Sequence, residues 1–392
     1  KVINTVRFAL GLALVQVPSV GVSSVTSREP QTPVSVTVQM AHWHHCVLSL
    51  PEGNFATKIK HNFQLNFDIR VVVCREALLD GCKGNQFVLF DDVPLYWDAW
   101  DVMDYHLQTR KPVVEVMEAP RVMCSDRLRA TVSFSLRVSE RSTITQEIIM
   151  DAMCPYLKFN TQVQWEELHK FLKVEFPVRV HSPNATYEIQ FGHVQRPTHR
   201  NTSWDWARFE VWGHKWADLS EHNFGVALLN DCKYGYSVYR NTMTLSLLRA
   251  PKAPDAHADM GTHQFTYAIM PHAGCFQDSS VIQCAYNLNS PLRPVQCPPE
   301  TVAWSGFSVS SPAVVLETIK QAEDQPRTLL LRLYEAHGST VSAALSSALP
   351  VSEAWHCDLL ERKDPIRPAK LTAQGIMLHF KPFEIVSLLL VL

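Results

Sequence analysis

Along this chain apolar residues recur at every second position far more often than at every third or fourth. Val132, Phe134 and Leu136 alternate with Thr131, Ser133, Ser135 and Arg137, and Tyr156 to Gln164 continues with Leu157, Phe159 and Thr161 on one face. A period of two belongs to a pleated strand with one face buried. Runs of the same kind occupy residues 172–180, 185–191, 225–230, 243–248, 264–270, 328–334 and 376–392, with Pro, Gly and Asn between them. Helical spacing is scarce. A dozen or more strands with few helices predict an all-β chain built from sandwiches.

Punctuation divides these strands. Pro251-Lys252-Ala253-Pro254 falls between two of them, and Pro291, Pro294, Pro298 and Pro299 cluster more densely, which makes the second site the better domain boundary. Beyond it, Trp304 to Leu392 has about the size of one immunoglobulin-like sandwich, with residues 314–316, 329–333 and 385–392 as inner strands. Three parts are expected. Residues 1–83 are partly linker and strand, with a weak alternation through Phe63, Leu65, Phe67 and Ile69. Residues 84–300 form a large β-sandwich and 301–392 a small one. No internal repeat or coiled-coil heptad stands out.

Composition narrows the function classes. In 392 residues there are 36 basic and 38 acidic side chains, so no long-range field invites nucleic acid or an anionic membrane. Hydrophobic residues at 46% and charged residues at 19% describe an ordinary globular protein. The chain opens on Lys1 rather than Met, which leads to the expectation of a fragment, a processed form or an incomplete sequence. Phe8 to Val17, behind Lys1 and Arg7, superficially resembles a secretory apolar segment, but Pro18 and its β-branched neighbours suit a strand as well. The closing run Ile385 to Leu392 is far shorter than the roughly 20 residues that span a bilayer. Ten cysteines are scattered without a Cys-x-x-Cys pair, which argues against a disulfide scaffold or a zinc ribbon. Two glycosylation triplets begin at Asn184 and Asn201 and matter only in a secreted chain. A reducing compartment, the cytoplasm, is expected.

Two aromatic blocks hold the candidate chemistry. Residues 89–101 place the carboxylates Asp91, Asp92, Asp98 and Asp101 among Phe90, Tyr96, Trp97 and Trp100. Aromatic faces stack on sugar C–H surfaces and carboxylates accept hydrogen bonds from hydroxyls, so the mixture suits carbohydrate. Residues 201–218 hold Trp204, Trp206, Trp212 and Trp216 with Asp205 and Arg208 for polar direction. For both blocks the preferred reading is packing in a core or domain seam, with sugar contact second. Glycoside hydrolysis needs two carboxyls roughly 5 to 9 Å apart across the scissile bond, and neighbouring acids in one turn seldom face each other that way. His42, His44 and His45 could bind a metal only with a carboxylate partner that is not evident. No phosphate loop, nucleophile elbow or His-Glu-x-x-His motif appears.

The segment Gly84 to Val102 resembles the signature segment of cytosolic-type α-mannosidases, class 2C of glycoside hydrolase family 38. Residues 171–177, 187–193, 195–199, 204–210, 224–235 and 330–338 are similar to the same pattern. The resemblance covers about residues 84 to 392, and 12–22 resembles the segment before the family's β domains, whereas 27–83 does not fit. It implies a large supersandwich, galactose-mutarotase-like, then a small immunoglobulin-like sandwich, both packed under a separate catalytic domain. In that family the nucleophile, the general acid and the ligands of a zinc or cobalt ion lie upstream, and the mechanism is retaining. Nothing here matches them, so no catalytic or metal residue is expected in this chain, and alone it should be inactive. The resemblance further implies hydrolysis of terminal α-D-mannose on free oligosaccharides and a homo-oligomer at full length. This chain would serve packing and pocket completion, with Trp97, Asp98, Trp100, Asp101, Trp204, Asp205 and Arg208 as candidate substrate contacts. The competing reading is an autonomous carbohydrate-binding or interaction module, which exposure of Trp97, Trp204 or Trp212 would favour. A severed β half should also expose a large apolar patch.

Overall fold

The structure, a computed structural model, describes residues 77–294 and 304–392 with their side chains, apart from 80, 81, 127 and 153. Between Val2 and Glu76 it describes short strands by backbone pairing alone. There Val2–Phe8 and Gly11–Val17 pair as an antiparallel hairpin. The His42–His45 cluster and the Phe63–Ile69 alternation lie outside the residues whose side chains are described, as does most of the boundary at residues 291–299.

From residue 86 the strands run β1 (Gln86–Asp91), β2 (Lys111–Pro112), β3 (Glu115–Ser125), β4 (Arg129–Arg137), β5 (Thr143–Asp151) and β6 (Leu157–Trp165). Next come β7 (Lys170–Pro177), β8 (Asn184–Ile189), β9 (Gly192–Pro197), the short helix α1 (Ser203–Ala207) and β10 (Val211–Trp212). The large sandwich closes with β11 (Trp216–Ser220), β12 (Phe224–Asn230), β13 (Gly235–Tyr239), β14 (Thr242–Arg249), β15 (Gly261–Ala273) and helix α2 (Val281–Asn289). Six strands form one sheet in the order β2-β1-β7-β14-β13-β10, and nine form the other in the order β3-β4-β5-β6-β15-β12-β11-β8-β9.

The period of two explains the register. β4 pairs with β5 from Arg129 opposite Asp151 to Arg137 opposite Thr143 without a slip. Val132, Phe134 and Leu136 therefore stay on one face, among the buried side chains between the sheets. Each such side chain contributes roughly 1.5 to 3 kcal/mol by leaving water. The polar face of β4 is buried too, contrary to a half-exposed strand. Its hydroxyls are matched locally, as where Ser135 Oγ meets Thr145 Oγ1 at 3.0 Å. A closed polar ring sits inside the apolar layer. Asn85 Nδ2 donates to Gln146 Oε1 at 2.6 Å, Gln146 Nε2 donates to Thr161 Oγ1 and Tyr267 OH, and Tyr267 OH donates to Asn85 Oδ1. Every buried amide and hydroxyl in it has a partner, which is the condition for such a network to be tolerated.

The C-terminal sandwich comprises β16 (Phe307–Val309), β17 (Val314–Gln321), β18 (Thr328–Glu335), β19 (Val341–Ser347) and β20 (Glu353–Cys357). It is completed by β21 (Lys363–Pro368), β22 (Leu371–Thr372), β23 (Gly375–Phe380) and β24 (Ile385–Val391). Its sheets are ordered β16-β19-β23-β22 and β17-β18-β24-β20-β21 around Leu331, Leu333, Leu345, Leu378 and Leu388. The apolar run 376–392 is two strands, separated by a turn in which Phe383 takes a φ of 60°. Helix α2, which strand patterning did not anticipate, packs Val281, Ile282 and Ala285 with Trp216 and Phe276 of the large sandwich and with Tyr334 and Ala336 of the small one. Tyr286 OH meets Tyr334 OH at 3.1 Å across this junction, and His193 Nδ1 lies 3.1 Å from the Ala336 carbonyl. Among the described residues no helix is long and apolar enough to cross a membrane.

Candidate functional site

The two aromatic blocks meet on one face of the large sandwich. The first is the loop that leaves β1 and returns at β2, ending in a 3-10 turn at Asp104–Thr109. The second is α1 with the residues on either side. Trp206 Nε1 donates to Asp104 Oδ2 at 2.6 Å and ties one block to the other.

Arg249, at the end of β14, organises the loop. Its Nε donates to Asp92 Oδ2 at 2.6 Å, while Nη2 donates to the carbonyls of Asp98 and Asp101 at 3.0 and 2.7 Å. Asp92 is almost fully buried, and burial pushes its carboxyl above the usual range while Arg249 pulls the other way. Asp98 turns its carboxylate inward, accepting from the backbone N–H groups of Lys252 and Ala253 at 2.5 and 3.1 Å. Its side chain is mostly buried and lies 3.8 Å from His169 Nδ1. Trp97 takes a left-handed φ of 53°, and its carbonyl accepts from the N–H groups of Trp100 and Asp101. This tight turn points the aromatics outward. Trp97 is 74% exposed, Trp100 85% and Trp204 77%. With Leu95 and Tyr96 the two loop tryptophans make an exposed apolar ridge; Trp204 stands on α1, which Trp206 ties to that loop, and Trp212 is half exposed. The reading of these aromatics as core or seam residues is therefore not met within this chain; of the four tryptophans in the second block, only Trp216 is buried.

Beneath the ridge lies a buried pair that strand patterning overlooked. Lys173 of β7 is almost wholly inaccessible, donates to Glu210 Oε2 at 2.6 Å and lies 4.4 Å from the Phe171 ring centre. Ser246 donates to the other Glu210 oxygen. A charged residue inside the apolar run Phe171-Leu172-Lys173-Val174 was the available signal, because a charge is buried only when paired. His106 is caged beside it by Phe90, Phe171 and Phe209. Burial, and then Lys173, bring its pKa down to about 4, so the ring is neutral at pH 7. Its Nδ1 donates to the Met103 carbonyl at 2.7 Å and holds the 3-10 turn closed.

The carboxylates proposed as chemistry are engaged in structure. Asp91 pairs with Lys170, Asp92 with Arg249, and Asp98 with backbone amides. Asp205 forms a capping box with Thr202 and accepts from Arg208 Nη2 at 2.7 Å. Asp101 alone stands exposed, beside Trp100. Among the described residues no three His, Cys, Asp or Glu side chains come together as metal ligands.

Residues 74–257 match the glycosyl hydrolases family 38 C-terminal domain, and residues 313–388 match the glycosyl hydrolases family 38 C-terminal beta sandwich domain. The chain belongs to glycosyl hydrolase family 38. It is 57% identical to human alpha-mannosidase 2C1 over 391 residues, covering 98% of this chain and 38% of that protein, and equally similar to the mouse protein. These spans take in residues 27–83, which had not fitted the family pattern. The Saccharomyces cerevisiae alpha-mannosidase is 39% identical over 78% of this chain. A family 38 protein from Enterococcus faecalis has the same fold, with a TM-score of 0.69 at 14% identity over 88% of this chain and 44% of that one. The matched regions are C-terminal domains of that family. The chain spans about two fifths of the length of its mammalian relatives.

Proposed function

We propose that this chain is the β portion of an α-mannosidase that removes terminal α-D-mannose from free oligosaccharides in the cytoplasm. The observation that carries this is the exposed aromatic surface of Trp97, Trp100 and Trp204, borne on backbone that Arg249 and the Trp206–Asp104 bond tie down. A fixed aromatic surface suits a sugar face or a partner domain, because little ordering entropy remains to be lost on contact. Of its candidate carboxylates Asp91, Asp92, Asp98 and Asp205 serve the fold and only Asp101 is free among the described residues, so the nucleophile, the general acid and a zinc or cobalt ion are assigned to the upstream portion of the longer enzyme. Among the described residues no group of three His, Cys, Asp or Glu side chains could hold that ion. This chain's share is to pack beneath the catalytic portion, to help form a homo-oligomer and to complete the mannose pocket.

The exposure of Trp97, Trp204 and Trp212 also favours a second reading, an autonomous carbohydrate-binding module. Substitution of Trp100 separates the two. In the longer enzyme, Trp100→Ala should lower kcat/KM for a mannooligosaccharide by roughly tenfold or more, given about 1.5 to 3 kcal/mol for burying such a ring. The stability of this chain by itself should hardly change, because there the Trp100 ring is exposed to solvent. Unaltered kinetics, together with mannooligosaccharide binding by the isolated chain that Trp100→Ala abolishes, would establish the module instead.

A further inference from the structure

Beside the aromatic ridge, between β9, α1 and β13, lies a small pocket lined by Arg196, Arg200, Arg208, His199, Asp205 and Tyr239 among others. Three guanidinium groups face one carboxylate. Arg208 is paired with Asp205, and His199 Nδ1 approaches the same acid at 3.4 Å. Arg196 stacks on Tyr187 and Trp212, with ring centres at 4.8 and 5.3 Å, and gives one N–H to the Trp212 carbonyl. Arg200 is held between the rings of Trp206 and Tyr239, at 4.7 and 4.3 Å. No hydrogen bond joins Arg200 to an acceptor among the described residues.

Among the described residues Arg196 and Arg200 have no ion-pair partner, and both line this one small concavity. Stacking fixes a guanidinium plane at little entropic cost and leaves its edge, with the donors, directed outward. A planar fork of N–H groups matches the oxygens of phosphate. Burial pulls the Arg196 guanidinium below its ordinary value, with Tyr187 opposing the shift and the neighbouring Arg208 adding to it, so an anion placed here would offset the repulsion. Arg240, whose guanidinium lies 5.4 Å from the centre of the same Tyr239 ring, adds positive field at the rim.

We propose that this pocket binds the phosphate group of a phosphorylated hexose, with Arg200 as the principal donor and Arg196 beside it. The sugar would extend toward exposed Trp204 and Trp212. The anion site follows from the arginines alone, whereas the sugar as its carrier rests on the mannosidase reading above.

Titration calorimetry of the 392-residue chain with inorganic phosphate, D-mannose 6-phosphate and D-mannose, at matched ionic strength, tests both parts. Phosphate should bind saturably and mannose 6-phosphate more tightly, each weakened roughly 10- to 100-fold by Arg200→Gln, the loss expected for a charged hydrogen-bonding partner. Arg196→Gln, read in the same way, serves as the second variant, with the unliganded melting temperature of each as the folding control. No saturable phosphate binding, or binding unchanged in both folded variants, overturns the anion site. Mannose 6-phosphate binding no tighter than phosphate overturns the sugar as carrier. Both are read without glycosidase activity, so they fail or stand separately from the proposed enzyme function.

Discussion

His106 shows how one residue couples the site to pH. Its neutral form is favoured in the native cage, with a pKa near 4 against 6.5 unperturbed, so the unfolded chain binds more protons between those values. Stability contributed by this residue is complete above about pH 6.5 and is lost as pH falls through 4, a loss of about 3 kcal/mol by linkage. Lys173 and Arg249 face it as like charges and Asp104 as an opposite one, with Glu210 paired to Lys173 behind. His106→Phe keeps an aromatic among Phe90, Phe171 and Phe209 and removes the proton. Denaturant midpoints between pH 7 and 4.5 should fall less steeply in that variant than in the parent. Parallel curves would remove His106 as the cause. Nothing in the sequence marks this histidine, because its burial depends on rings contributed from β1, β7 and residue 209.

At the scale of elements, the loop between β1 and β2 is held chiefly by Arg249. Arg249→Ala strands Asp92 as a buried carboxylate and frees the carbonyls of Asp98 and Asp101. Removal of one partner of a buried pair costs about 3 to 5 kcal/mol. A lower urea midpoint should result, and a midpoint equal to the parent's would show that the loop holds itself. Strands whose alternation was intact, such as β4 and β6, were legible in the sequence because one face must be buried. β3 was not. Most of its eleven residues are exposed and its pairing with β4 slips in three places, so no period survives. Helix α2 escaped notice because nine residues give its buried stripe barely two turns to repeat. The candidate side chains were legible by type, yet their roles were not. Asp98 and Asp205 look like sugar-binding acids until their backbone partners are seen.

For the molecule as a whole, the two sandwiches join through α2 and Tyr334, while the aromatic ridge and the edge strand β3, with exposed Val116, Met117, Val122 and Met123, stay open to solvent. Isolated apolar surfaces of this kind mark contacts with something else. The upstream three fifths of a longer family 38 enzyme is the occupant proposed for the ridge. The most direct test is release of a chromogenic aglycone from an α-mannoside by the purified chain, with added zinc or cobalt, beside a longer protein carrying the upstream portion. Activity in the longer protein and none in this chain is the predicted result. Turnover by this chain alone would contradict it, and Asp101, the exposed carboxylate beside Trp100, would then be the first residue to replace.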